Sequence, residues 1–301
     1  MITLSRNRNS SSHLHARLAP ISEYSPAGAL SDGWISINAL GFRGPALNRA
    51  IADRYDGRVS IVLARRWLRE AESVAVITGA GISAESGVPV FRGPGGMWRK
   101  YRAEELASPQ AFAQDPKLVW EWYNWRRELI AAVEPNAGHR ALVELEKASD
   151  DFTLITQNVD GLHTLAGSSR PLKLHGDIWE TVCMLCGERR VNREVPLTPL
   201  PPRCSCHPEA VLRPAVVWFG EALPFAVWEQ AEAAVKRAEL VLIVGTSAVV
   251  YPASGLITIG MRNGARTVEI NTNRTPISDS VDLHLSGNAA EILPDLVDSS
   301  R

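Results

Sequence analysis

Residues Val74 to Gly93 read VAVITGAGISAESGVPVFRG. The stretch opens as a short apolar run ending in Thr78, which predicts a buried strand. It then turns on glycine. Gly79, Gly81 and Ala84, with Ala80 and Ile82 between them, fit the spacing G-x-G-x-x-G/A directly after a strand. Small residues at those places let the backbone turn tightly and approach a pyrophosphate, and the following helix aims free N–H groups at the anion. The same residues also suit a merely tight strand-to-helix turn. A hydride-transfer dehydrogenase would carry an acid about 20 residues further on, at the end of a second strand. Here the loop Phe91-Arg92-Gly93-Pro94-Gly95-Gly96 follows instead, which disfavours that class.

Working outward, further short apolar runs recur at Phe152–Ile155, Leu240–Val244, Thr267–Ile270 and Asp282–Leu285. Helical spacing covers Ile61–Ala71, Lys117–Val133, Ala137–Lys147 and Ala226–Arg237. Strands alternating with helices predict a doubly wound parallel sheet, an α/β fold of Rossmann-like type. Residues 177–215 break the rhythm and read as a small inserted module. Residues 1–57 differ again, with an arginine- and serine-rich start free of acids through Pro20. They are expected to be a flexible extension, with an organelle transit peptide as the alternative. The catalytic region then spans 58–301.

The whole chain has 301 residues, of which 45% are hydrophobic, enough for a sizeable core. Its 32 basic and 33 acidic residues give a net charge of -1, which argues against a protein that coats nucleic acid or an anionic membrane. No apolar run approaches the ~18 residues of a membrane span.

Cysteines occur in two close pairs. Cys183-x-x-Cys186 is followed, after 17 residues, by Cys204-x-Cys206. Two pairs at that separation suit a tetrahedral zinc site, structural because four thiolates leave no open position. His207 is an alternative ligand, and two unrelated thiol pairs are the plainer reading.

Five further segments carry a resemblance. Thr156-Gln157-Asn158-Val159-Asp160 follows a strand, and Leu174-His175-Gly176 precedes the cysteine module. Val216-Val217-Trp218-Phe219-Gly220-Glu221 comes just after it. Gly245-Thr246-Ser247 and Asn271-Thr272-Asn273 end two later strands. Together with the glycine turn, this order resembles the sirtuins, NAD-dependent protein deacylases, over roughly residues 74–296.

Each segment also has its own physical reading. A neutral imidazole near neutral pH can take a proton from a sugar hydroxyl. The resemblance implies that His175 does so on a ribose of NAD, and that His163 is structural. Gln157, Asn158 and Asp160 lie where open parallel sheets bind ligands. By resemblance Asn158 and Asp160 hold the nicotinamide and its ribose; Asp160 could otherwise cap a helix. Gly245, Thr246, Ser247, Asn271, Thr272, Asn273 and Ala289 would line the adenosine side. Phe91, Arg92 and Trp98 fall on the mobile cofactor loop that the resemblance implies. Val217, Trp218 and Phe219 would grip an acyl-lysine peptide.

The helix Lys117–Val133 refines the substrate. Trp120, Tyr123, Arg126 or Arg127, Ile130 and Val133 share one face at spacings of three and four. An arginine on an apolar face is costly without an anionic partner. Tyr123 and Arg126 can converge on one carboxylate, a pair similar to the mark of sirtuins that remove succinyl or malonyl groups. Ala107 matches the small residue that widens their acyl pocket. The plainer alternative is that Arg126 pairs with Glu121.

The expected activity is deacylation of acidic acyl-lysines, and of acetyl-lysine, with NAD as co-substrate and one structural zinc ion. Nicotinamide and O-acyl-ADP-ribose are the products. The partners are acyl-lysine proteins or peptides, with no nucleic acid and no membrane. The expected state is a cytoplasmic monomer, or a mitochondrial one if the extension is a transit peptide. An ADP-ribosyltransferase, a catalytically silent NAD sensor and a zinc-ribbon nucleic-acid binder are the competing classes.

Overall fold

Along the strand Ser73–Thr78 (β1), alternate side chains enter two different cores. Val74 and Val76 pack on one face, and Ala75 and Ile77 on the other. Burial on both faces explains why the strand reads as an unbroken apolar run rather than an alternation. The computed structural model describes residues 57–89 and 103–298. The 1–57 extension, apart from its last residue, and the candidate residues Phe91, Arg92 and Trp98 lie outside the described residues.

Helix α1 (Gly57–Glu70) precedes β1, and the short α2 (Gly81–Ala84) follows it. A helical lobe comes next, with α3 (Ala103–Leu106), α4 (Pro109–Gln114) and α5 (Pro116–Ala131). The chain returns through α6 (Ala137–Ala148) to β2 (Asp151–Thr156), then α7 (Leu162–Ala166) and β3 (Leu172–Lys173). An inserted sheet holds β4 (Gly176–Cys183), β5 (Arg189–Val191) and β6 (Leu212–Val216). The last part runs α8 (Phe225–Arg237), β7 (Leu240–Val244), α9 (Gly255–Arg262), β8 (Arg266–Asn271), β9 (Leu283–Ser286) and α10 (Ala289–Val297).

The main sheet has the order β3-β2-β1-β7-β8-β9, with every pairing parallel. From β1 the chain builds outward to one edge, then returns to β1's other side and builds outward again. The β1/β7 boundary is thus the topological switch point, where open parallel sheets leave a crevice for ligands. Helices α1, α6 and α10 cover one face through Trp67, Leu142, Leu145 and Leu293. Helices α8 and α9 cover the other through Val235 and Leu256.

The second sheet is antiparallel, in the order β5-β4-β6. A separate core joins it to the helical lobe, with Phe112, Trp120, Trp122, Ile178 and Trp218. Helix α5 starts on a firm signal: Asp115 Oδ1 accepts the Leu118 N–H at 2.9 Å, and proline occupies the first turn. Among the described residues, no helix is long and apolar enough to cross a membrane.

Candidate functional site

The glycine turn lies at the switch point because nothing larger fits there. A Cβ on Gly79 would meet Thr246 Cβ at 2.7 Å, and one on Gly81 would meet Gly245 Cα at 2.7 Å. Gly245 itself has φ +58, and a Cβ there would lie 2.5 Å from the Ile82 nitrogen. The turns after β1 and β7 are thus pressed backbone to backbone, and two hydrogen bonds lock them. Gly79 N–H donates to Val244 O at 2.9 Å, and Gly81 N–H to Gly245 O at 2.7 Å. Asn271, at the end of β8, donates to Thr246 O at 2.9 Å. Gln157, after β2, donates to Thr246 Oγ1 at 3.0 Å. Four strand ends therefore meet in one rim. Ser247 is exposed on it, and Thr272 and Asn273 bond to each other through side chains. Ala289 opens α10, which Glu85 ties back toward α2 by accepting the Ala290 N–H at 3.1 Å.

The loop after β2 carries the polar groups. Asn158 Nδ2 donates to Gly79 O at 3.0 Å and to Ser83 Oγ at 3.2 Å. Ser83 donates to Asp160 Oδ2 at 2.8 Å, and Asp160 Oδ1 accepts the Leu162 N–H at 2.8 Å. Burial raises the Asp160 carboxyl above its ordinary value, against those two hydrogen bonds. Trp179 on β4 donates its indole N–H to Asp160 O at 2.7 Å. Gly161, at φ +77, lets the indole approach, since a Cβ there would lie 2.8 Å from Trp179 Cδ1.

His175 Nδ1 lies 2.9 Å from Gln157 O. A carbonyl only accepts, so Nδ1 carries the proton and Nε2 keeps the lone pair. Burial lowers the imidazole pKa, so the ring is neutral at neutral pH. His163 is fully internal by contrast, with Nε2 2.9 Å from Thr78 Oγ1. Segment 217–219 bridges the two lobes. Val217 N–H donates to His175 O, and Phe219 N–H to Ala107 O, both at 2.9 Å.

On α5, Tyr123 is 1% exposed and Arg126 8% exposed, and Tyr123 belongs to the same apolar core as Ala107. The Arg126 guanidinium lies 5.1 Å from the Trp122 ring centre and 5.9 Å from that of Tyr123. Glu121 is on the solvent side, 3.8 Å from Lys117. Burial pushes the Tyr123 phenol up to about 12, so it stays protonated.

The four cysteine sulfurs lie within 4.8 Å of one another, with Cys183 and Cys206 at 3.6 Å and Cys186 and Cys204 at 3.9 Å. Thiolates around one zinc at ~2.3 Å would sit about 3.8 Å apart, so the donor set fits the ion. His207 is not among the converging groups; its Nδ1 accepts the Glu209 N–H at 3.1 Å.

Sequence reasoning missed Ser83, His139 and Trp179. His139 Nε2 is 3.4 Å from Ser83 Oγ, and burial takes its pKa down to about 4. One available signal was Asn136-x-x-His139 ahead of an apolar helix, which the structure uses as a capping box.

Fold and rim together define a dinucleotide-type α/β protein with an inserted four-thiol module. Comparison with known proteins sharpens that class. Residues 79–252 match the family model described as Sir2 family. An NAD-dependent protein deacylase of Aquifex aeolicus is 47% identical over 230 residues, covering 76% of this chain and 95% of that protein. One from Pyrococcus furiosus is 48% identical over 251 residues, covering 81% and 98%. The crystal structure of a Sir2 homolog–NAD complex matches with a TM-score of 0.74 and 44% identity, covering 77% of this chain and 91% of the other. A Sir2–p53 peptide–NAD+ complex matches at 0.67 and 30%, covering 77% and 95%. The chain belongs to the Sir2 family.

Proposed function

We propose that this protein is an NAD-dependent protein-lysine deacylase that removes succinyl and malonyl groups, and acetyl groups as well. The deacylase part is supported by the named relatives and by His175, whose Nε2 lone pair is free to act as a base. NAD would lie along the glycine rim, with Asn158 and Asp160 at its nicotinamide end. The acyl-lysine would pass along 217–219, between Ala107 and His175. Its amide oxygen displaces nicotinamide from the ribose. His175 then takes the proton of a ribose hydroxyl as that oxygen attacks the acyl carbon. Water then adds to that carbon, its C–N bond breaks, and the proton held by His175 passes to the departing amine, so that acyl-lysine, NAD and water become free lysine, nicotinamide and O-acyl-ADP-ribose. One zinc ion on the four cysteines would hold the inserted module together, away from the chemistry. The same reading has the protein act as a cytoplasmic monomer.

The acyl preference rests on one observation: Tyr123 and Arg126 lie buried three residues apart on α5, and Tyr123 shares an apolar core with Ala107. A buried guanidinium can take a carboxylate in a charge-assisted hydrogen bond, and a protonated phenol can add a second bond to it. The test is kcat/KM with NAD on matched succinyl-, malonyl- and acetyl-lysine peptides, followed by mass spectrometry. Arg126→Met should lower the succinyl-to-acetyl ratio by about a hundredfold, the loss of one charged hydrogen-bonded pair. An equal fall on both peptides would remove the carboxylate role.

A further inference from the structure

The hydroxyl oxygen of Tyr123 lies 2.9 Å from Nε1 of Trp218. An indole nitrogen can only donate. The phenol oxygen is therefore the acceptor in that bond, and the phenol's own proton has to turn away from the indole.

Trp218 is itself held firmly. The Arg213 guanidinium stacks on its ring, with Cζ 3.4 Å from the centroid. Glu221 accepts two hydrogen bonds from Arg213, at 2.6 and 2.9 Å. The same carboxylate accepts the backbone N–H of Trp218 at 2.8 Å. Arg213 adds a bond to Val216 O at 2.9 Å, and Phe112 packs on the indole with ring centres 5.2 Å apart. The side chains of Arg213 and Glu221 are 12% and 26% exposed, so water screens this pair less than a surface ion pair. Bidentate geometry also fixes the guanidinium plane, and with it the plane of the indole below.

We propose that Glu221, Arg213 and Trp218 form a specificity-determining relay. It fixes the Tyr123 hydroxyl as a donor toward a hydrogen-bond acceptor at the far end of the acyl chain, namely a carboxylate. An acetyl group ends in a methyl and offers that proton nothing, so the relay bears on acidic acyl groups. Arg213 and Glu221 are positioning residues that act through Trp218. The inference rests on the acidic-acyl reading above and names what orients one half of its clamp.

The competing role for the ion pair is a plain staple between β6 and the 217–221 turn. A staple would change both substrates alike. The discriminating measurement is the ratio of kcat/KM on succinyl-lysine and acetyl-lysine peptides with NAD, together with the thermal midpoint. Arg213→Met keeps an unbranched side chain but loses the planar stack and the pair. It should lower the ratio about tenfold, the scale of one hydrogen bond to a charged group. Glu221→Gln is the milder variant, with an expected drop of about threefold, and it decides the matter alone if Arg213→Met does not fold. In a Tyr123→Phe background, Arg213→Met should leave the ratio unchanged, because the group it orients is gone. A ratio unaltered by both single variants, or one that falls equally in the Phe background, overturns the relay. Wild-type protein without desuccinylation overturns the relay and the acidic-acyl reading together. Desuccinylation that depends on Arg126 but not on Arg213 or Glu221 overturns the relay alone.

Discussion

The Nδ1–H of His175 is committed to the Gln157 carbonyl at 2.9 Å, which leaves Nε2 as its one basic nitrogen. His175→Ala should abolish turnover while the circular-dichroism spectrum and thermal midpoint stay near wild type. Substantial activity in that variant would refute its role as the base. Its lowered pKa also has a sign: activity should fall on the acid side with a midpoint below the ordinary imidazole value of about 6.5. His139 gives a second pH effect, on stability. Its folded pKa is depressed to about 4, so between about 6.5 and 4 the unfolded chain binds more protons. Stability is therefore present above about 6.5 and lost as pH falls through that window, by on the order of 3 kcal/mol from this one group. A thermal midpoint that does not drop between pH 7 and pH 4.5 would contradict it. His175 was legible in the sequence through its motif. Ser83 and His139 were not, because Ser83 meets Asp160 and His139 meets Ser83 only when three separate segments come together.

Among the elements, β4 does more than its sequence announces. It ends at Cys183 in the thiol cluster, and nearer its start, at Ile178 and Trp179, it reaches the 157–161 loop. Ile178 N–H donates to Val159 O at 2.9 Å, and the Trp179 indole to Asp160 O at 2.7 Å. The Trp179 ring is flanked by Arg127 and Arg193, with guanidinium carbons 5.1 and 5.4 Å from its centre. Trp179→Phe would leave the buried Asp160 carbonyl without that donor, at a cost of about 1–3 kcal/mol. The expected result is a higher KM for NAD, with the KM for the peptide little changed. An unaltered NAD dependence would show that the indole only packs. The strands of the main sheet were readable because burial on both faces leaves an apolar run bounded by turns. The sheet β5-β4-β6 was not readable as strands: its edge strand Arg189–Val191 is exposed throughout, so no apolar pattern marks it.

At the scale of the molecule, the inserted module and the helical lobe are tied by polar contacts as well as by their shared core. Asn124 exchanges hydrogen bonds with the backbone of Leu197, at 2.8 and 3.1 Å, and Arg127 donates to Asn192 Oδ1 at 2.5 Å. Removing a metal from the four thiols should therefore loosen the helical lobe as well. Treatment with a strong chelator, or Cys204→Ser, should lower metal content by elemental analysis and lower the thermal midpoint by several degrees. Full stability without metal would exclude the structural role. The sequence alone determined the parallel sheet, the glycine turn and the pairing of the thiols. Each of these is written in neighbouring residues, through period, spacing or a small residue where backbone must pass. Tertiary structure alone decided that Trp179 reaches Asp160, that Ser83 links Asn158 to it, and that Trp218 sets the direction of the Tyr123 proton. Those contacts join residues 19 to 95 positions apart, and a hydrogen bond's direction depends on which atoms the fold brings together.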